Sequence, residues 1–241
     1  MSTDTINGLV IGVAGSLIAS IIIGLAVMLY NGARGHRGIQ QLLRLRKDTA
    51  QAGIINVFPN RDAYRTHKDH GKAGEYVKKC KQELIYVGFW LAHGTEMESL
   101  IETVKEICLE KKKVKIVLLN PANKVLMKQM AEFLNMNRDE MVSRIENSIN
   151  KFTDLQCELN KIGNNNLKVC VHNVPINYSA FMLDYADAKN TRILVDYKTY
   201  HQTRENSYGI EFKNRQCTVT KSHAEAMIKI IKKAKKHVRN E

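Results

Sequence analysis

A chain of 241 residues with 37 Lys+Arg against 24 Asp+Glu carries a formal charge of +13 at pH 7, and 44% of it is hydrophobic. That is too apolar for a disordered tail, and so basic a balance points to phosphate-rich partners: nucleic acid, nucleotides or anionic lipid headgroups. Five scattered cysteines, odd in number and without a CxxC, argue against a disulfide framework or a zinc knuckle and fit free thiols in a reducing compartment.

After seven residues, Gly8 to Tyr30 is an uncharged, almost wholly apolar run. At about 1.5 Å per residue it is long enough to cross a hydrocarbon core of about 30 Å as one helix. Gly8, Gly12, Ser16, Ser20 and Gly24 recur at every fourth position. Such a small-residue ridge lets helix backbones approach closely in lipid, so the segment reads as a self-associating anchor, with Ser16 and Ser20 placed to face either each other or a pore. The amino-terminal flank has no Lys or Arg, whereas Arg34, Arg37, Arg44, Arg46 and Lys47 follow the run. Positive residues stay inside, which predicts a single-pass bacterial inner-membrane protein with residues 1–7 outside and the remainder cytoplasmic. A cleaved signal peptide would have a basic n-region and a shorter apolar core. The Asn177-Tyr178-Ser179 sequon would then never meet the glycosylation machinery.

Residues 31–53 read as a basic, glycine-punctuated connector whose second part could lie on the membrane face. From residue 54 an α/β pattern begins. Ile54–Phe58 reads as a strand ended by Pro59, and a helix follows on which Ala73, Tyr76, Val77 and Cys80 share a face. Leu84–Phe89 reads as a second strand, and Thr95 with Glu98 as a capping box opening a helix striped by Met97, Leu100, Ile101, Val104, Ile107 and Cys108. Val114–Leu119 is a third strand, stopped by Asn120-Pro121. This opening predicts a largely parallel sheet covered by helices.

Residues 124–163 read as two helices broken near Asn135 to Arg138. Four closely spaced strands follow: Leu167–His172, Asn177–Asp184, Arg192–Asp196 and Tyr208–Phe212. Ser222 and Glu225 form a second capping box, before a last helix lined by Met227, Ile230, Ile231, Ala234 and Val238. Its lysine-rich end suits the negative end of a helix dipole. With no repeat or low-complexity block, residues 54–241 are expected to form one cytoplasmic domain of roughly 190 residues, ample for one core.

The order of these elements resembles one half of the phospholipase D fold: an α/β mixed sheet flanked by helices, here preceded by a transmembrane helix. That family's motif, H-x-K-x4-D, falls on Asn177-Tyr-Ser179-Ala-Phe-Met-Leu-Asp184. Asn177 stands where the family has its nucleophilic histidine, Ser179 where it has its lysine, and Asp184 keeps the aspartate. The glycine-serine-asparagine element is absent from Arg192 to Tyr200. The resemblance implies a phosphodiester groove whose catalysis is lost, since asparagine cannot attack phosphorus and serine offers no cation.

Ligands of open α/β sheets gather beyond the carboxyl ends of the strands. The candidate ligand residues are therefore Asn60, Arg61, Trp90, His93, Asn120, Asn177, Ser179, Tyr200, His201 and Arg204. Trp90 and Tyr200 could stack on a base while Arg61, His201 and Arg204 meet phosphates. His67-Lys-Asp-His70 lacks a third metal ligand, and there is no Walker loop, GxGxxG or nucleophile elbow, so neither metal nor cofactor is expected. Three functions follow. The first is a non-catalytic membrane effector of bacterial anti-phage defence: its basic domain senses a nucleotide, oligonucleotide or single-stranded nucleic acid and controls a homo-oligomeric, membrane-disrupting or pore-forming bundle. Anionic lipid would be a further partner, and a nucleotidyltransferase encoded nearby would fit. The second is a membrane-tethered phosphodiesterase or nuclease of the phospholipase D superfamily. The third is a protein-binding membrane scaffold.

Overall fold

The computed structural model describes residues 44–67, 71–91, 95–201 and 207–237 and, for residues 61, 62, 65, 95 and 96, the backbone alone. The Gly8–Tyr30 run, with Gly8, Gly12, Ser16, Ser20 and Gly24, lies outside the described residues, as do residues 31–43. Among the described residues no helix is long and apolar enough to cross a membrane. The chain divides into two units, Met1–Thr49 and Ala50–Glu241. Of the first, residues 44–49 are described and are helical.

In chain order the second unit runs β1 (Ile54–Phe58), α1 (Arg61–Thr66), α2 (Ala73–Val77), β2 (Glu83–Gly88), α3 (Thr95–Leu109), β3 (Lys113–Leu119), α4 (Lys124–Phe133), α5 (Arg138–Lys161), β4 (Leu167–His172), β5 (Tyr178–Leu183), β6 (Arg192–Tyr197), β7 (Tyr208–Lys213), α6 (Thr218–Lys233) and β8 (Lys235–Lys236). All eight strands form one mixed sheet in the order β1-β7-β6-β5-β2-β3-β4-β8. Only β2, β3 and β4 are joined by parallel pairing; every other pairing is antiparallel. The expectation of a largely parallel opening is thus corrected at its first strand. β1 sits at the far edge against β7, and the chain crosses the width of β7, β6 and β5 before entering β2.

Burial explains which strands lie centrally. From Leu84 to Gly88, and from Ile116 to Leu119, every residue is buried, the continuous apolar pattern of strands covered on both faces. β1 instead alternates half-buried and exposed residues, with Ile55 and Val57 outward, as befits an edge. One face carries Tyr86, Phe181 and Leu194 in register, together with Ile116 of β3. The other carries Ile85, Met182, Ile193 and Phe212 in one row, with α6 packed over it through His223 against Phe212 and Tyr197.

The helical excursion breaks where the sequence places the break. Asn123 caps α4 by accepting from the Leu126 N–H, Asn135 takes a left-handed φ of 49°, and Asn137 caps α5 by accepting from Asp139 and Glu140. Met141, Ile145, Ile149, Phe152 and Leu159 are buried along α5 at helical spacing.

The second capping box is a correction. α6 starts at Thr218 with Cys217 as N-cap, so Ser222 lies inside the helix. The earlier start is fixed by Thr220, whose hydroxyl donates to the carbonyls of Ala52 and Lys213. The same contact demands Gly53, at φ +80°, because a Cβ there would meet Thr220 Oγ1 at 2.1 Å. The helix also ends at Lys233, before Ala234; Lys235 and Lys236 pair with Val171 and Cys170. α3 begins at Thr95, already helical, and its Thr95 side chain lies outside the description.

Candidate functional site

A cavity of about 340 Å³ opens where β1, β2 and β6 end and β5 and β7 begin. Its floor is laid by the sheet. Ser179 of β5 pairs with Asp196 of β6, which pairs with Gly209 of β7. Ser179 also abuts Gly88: a Cβ at Gly88 would meet Ser179 Oγ at 2.7 Å and the Tyr86 hydroxyl at 2.3 Å. One step deeper, Tyr86, Phe181 and Leu194 make an apolar wall, and the Tyr86 hydroxyl donates to the carbonyl of Trp90 at 2.8 Å. Phe89, Trp90, Leu91, Leu134 and Met136 complete the apolar lining.

Polar groups reach the cavity both from the sheet and from the helical excursion. Lys198 Nζ is 2.5 Å from Asp196 Oδ2 and donates to Ser207 Oγ at 3.1 Å. Asp196 and Lys198, two apart at a strand end, point the same way, and the Lys198 side chain is only 16% exposed. Arg144 of α5 reaches the cavity with its guanidinium 5.9 Å from the Trp90 ring, while pairing with Glu140 one turn back. An ammonium and a guanidinium therefore border an aromatic, partly desolvated space, where charge-assisted bonds to an anion are strongest.

Of the sequence-predicted residues, Asn60, Trp90, Ser179 and His201 line this cavity. The Asn60 side chain also caps α1 by accepting from Ala63 at 2.8 Å. His201 has a left-handed φ of 55° and its N–H donates to the carbonyl of Phe133. Tyr200 does not line the cavity; it is 56% exposed, stacks on the His201 ring at 4.1 Å and touches Phe133. Asn177 is exposed and holds the Lys198 N–H through its carbonyl at 2.7 Å. Asn120, at the end of β3, is bonded to Asn173 instead. The backbone of Arg61 opens α1, and its side chain is outside the description, as are His93 and Arg204 entirely.

Asp184, which the sequence resemblance set at the motif aspartate, lies at the opposite end of β5 from Ser179. It is 4% exposed, with φ 55°, and its carboxylate accepts from the N–H groups of Lys81, Gln82 and Glu83. It ties the entry of β2 to the exit of β5. His172 is likewise internal: it is 1% exposed, and burial lowers its pKa to about 4 against the pull of hydrogen bonds with the Gly88 and Val174 backbone. Among the described residues no group of three His, Cys, Asp or Glu could hold a metal ion; His70 lies outside them.

Sequence reading missed Tyr86, Arg144, Asp196, Lys198 and Ser207. Asp196 and Lys198 had a signal, the alternation that puts both on one face of β6. Arg144 had none, because the excursion folds back over the sheet only in three dimensions.

No family model and no curated protein matches the sequence. Solved structures do match in part. TrmBL2, an archaeal chromatin protein described as showing a novel mode of DNA binding, is 12% identical over 84% of this chain and 62% of its own, with a TM-score of 0.44. This chain thus spans about three fifths of that protein's length. Nuc from Salmonella typhimurium, a phospholipase D family member, is 13% identical over 68% of this chain and 86% of its own, with a TM-score of 0.40. Phosphatidylserine synthase from Haemophilus influenzae is 11% identical over 69% and 37%, with a TM-score of 0.44. None of these likenesses assigns the chain to a family.

Proposed function

We propose that the cavity binds a nucleotide or a short stretch of single-stranded nucleic acid without cleaving it. The base would lie against Trp90, Phe89 and Tyr86, and a phosphate would approach Lys198 and Arg144. The observation that carries this reading is the joint lining of one cavity by aromatic rings and by two cations, the pairing that sequence-tolerant nucleic-acid binders use. Asn177 and Ser179 at the motif positions supply neither a histidine nucleophile nor a lysine clamp, which supports binding over hydrolysis. On this reading the chain is a sensor of phospholipase D-like architecture. Its Gly8–Tyr30 run anchors it as an oligomer in the bacterial inner membrane, and ligand occupancy acts on that bundle, as an anti-phage effector would.

The test is binding of labelled mononucleotides and oligonucleotides by the full-length protein in neutral detergent. Affinity should fall steeply with salt and should drop in Trp90→Ala. Absence of binding at low ionic strength would refute the proposal.

A second reading has one observation in its favour: His201 lines the same cavity as Lys198. A histidine and a lysine have thus been brought together from the β6 exit, not from the motif strand. Metal-independent turnover of a generic phosphodiester, lost in His201→Ala, would establish this reading in place of the first.

A further inference from the structure

On the sheet face opposite the cavity, the row that runs Phe212, Ile193, Met182, Ile85 beneath α6 continues into Lys115 of β3 and Lys168 of β4. The next row on the same face sets Lys236 of β8 directly opposite Cys170 of β4. Adjacent strands lie about 4.8 Å apart, so three ammonium-bearing side chains crowd a small area at this edge. Cys170 reports their closeness: burial pushes its thiol pKa up, and Lys115, Lys168 and Lys236 all pull it back.

Like charges side by side on a sheet are destabilising. Other lysines of the domain find carboxylates, as Lys105 does with Glu158 and Lys112 with Glu110. Among the described residues, Lys115, Lys168 and Lys236 have no ion-pair partner. Glu83 is the nearest acid in register, and it stands opposite Lys113, one step further along the strands. Lys168 and Lys236 are exposed and Lys115 is half-buried. An uncompensated cationic row built on strand register needs a fixed anionic counterpart.

We propose that this row docks the domain on a bilayer surface through anionic lipid headgroups. Two features favour lipid over nucleic acid. The cations are all lysines, point charges without the fork that clamps phosphates or reads base edges. Next to them stand Cys170 and Val117, and the ring on this face of β4, that of His172, is buried and offers a base no surface to stack on. With Lys115, Lys168 and Lys236 on lipid, the cavity opens from the other face of the sheet and stays accessible. Docking and ligand binding therefore use separate surfaces, and either can fail without the other.

The experiment exploits Trp90, the only tryptophan of the chain. Full-length protein is reconstituted in phosphatidylcholine vesicles, with or without phosphatidylserine, each carrying a dansyl-labelled lipid. Energy transfer from Trp90 should rise with phosphatidylserine and fall back in high salt. The variant K115Q/K168Q/K236Q should lose the rise, since each lysine near such a surface is worth about fivefold in association and three about a hundredfold. A control, Lys128→Gln on α4, should keep it. Equal transfer with and without phosphatidylserine overturns the proposal. So does a triple variant that responds like the unaltered protein, and so does one that keeps the lipid response while losing affinity for a DNA duplex, which would assign the row to nucleic acid.

Discussion

Lys198 holds its ammonium 2.5 Å from the Asp196 carboxylate, two residues back along the same strand, and both face the cavity. The pair presents a cation already oriented, with Ser207 fixing it from the other side. On the proposed function a ligand phosphate would share that ammonium with Asp196, so the pair would set both the strength and the selectivity of anion binding.

Substitutions at the pair should therefore move affinity in opposite directions. Lys198→Met removes a charge-assisted bond and should weaken a phosphate-bearing ligand by about 1.5–3 kcal/mol, or 10- to 100-fold. Asp196→Asn removes the competing negative charge and should tighten it. Titration of the same labelled nucleotide against both variants checks this, and a parallel loss in the two would show that the ligand reads the intact pair.

Gly88 is the tight point of the floor. A methyl group there runs into Ser179 Oγ and the Tyr86 hydroxyl. Gly88→Ala should destabilise the domain by about 1–3 kcal/mol through overpacking and lower ligand affinity with it. Adding Ser179→Ala should restore part of both, as measured by urea midpoints and binding isotherms.

Asp184 is expected to matter for stability and not for binding. Asp184→Ala leaves the N–H groups of Lys81, Gln82 and Glu83 without their carboxylate and removes a nearly buried cap, at a cost of about 2–4 kcal/mol. At temperatures where the variant remains folded, ligand affinity should match the unaltered protein. A selective loss of binding would instead tie this end of β5 to the cavity.

The buried histidine gives a pH dependence with a definite sign. His172 titrates at about 4 in the folded chain against an ordinary 6.5, so the unfolded chain binds more protons between those values. Its contribution, about 3 kcal/mol, is fully present above pH 6.5 and is lost as the pH falls toward 4. His223, also lowered by burial, adds in the same direction. Urea unfolding at pH 7 and pH 4.5 should show the loss, and His172→Gln should flatten it.

The legible part of this chain was local. α4 and α5 with the break between them, the run of β4 to β7, and the apolar stripe of α3 all follow from periodicity, because side-chain direction repeats every 3.6 or 2 residues wherever the element sits. Cap residues marked the break between α4 and α5, but not the start of α6, where the hydroxyl of Thr220, bonded to the carbonyls of Ala52 and Lys213, lies ahead of the Ser222 and Glu225 signal.

What periodicity does not contain is which strand lies beside which. β1 pairs with β7 across more than 150 positions, and that choice follows from burying both faces of β2 and β3 and leaving β1 to an edge. The same pairing decides the chemistry. Trp90 and Ser179 are visible as candidates in the sequence, but only strand register puts Asp196 and Lys198 beside them, and only the folding back of α5 brings Arg144 over Trp90. The sequence by itself determined most of the elements and the charge. The tertiary structure alone decided how those residues are grouped, because groups distant along the chain meet only where the packing of the core brings their strands and helices together.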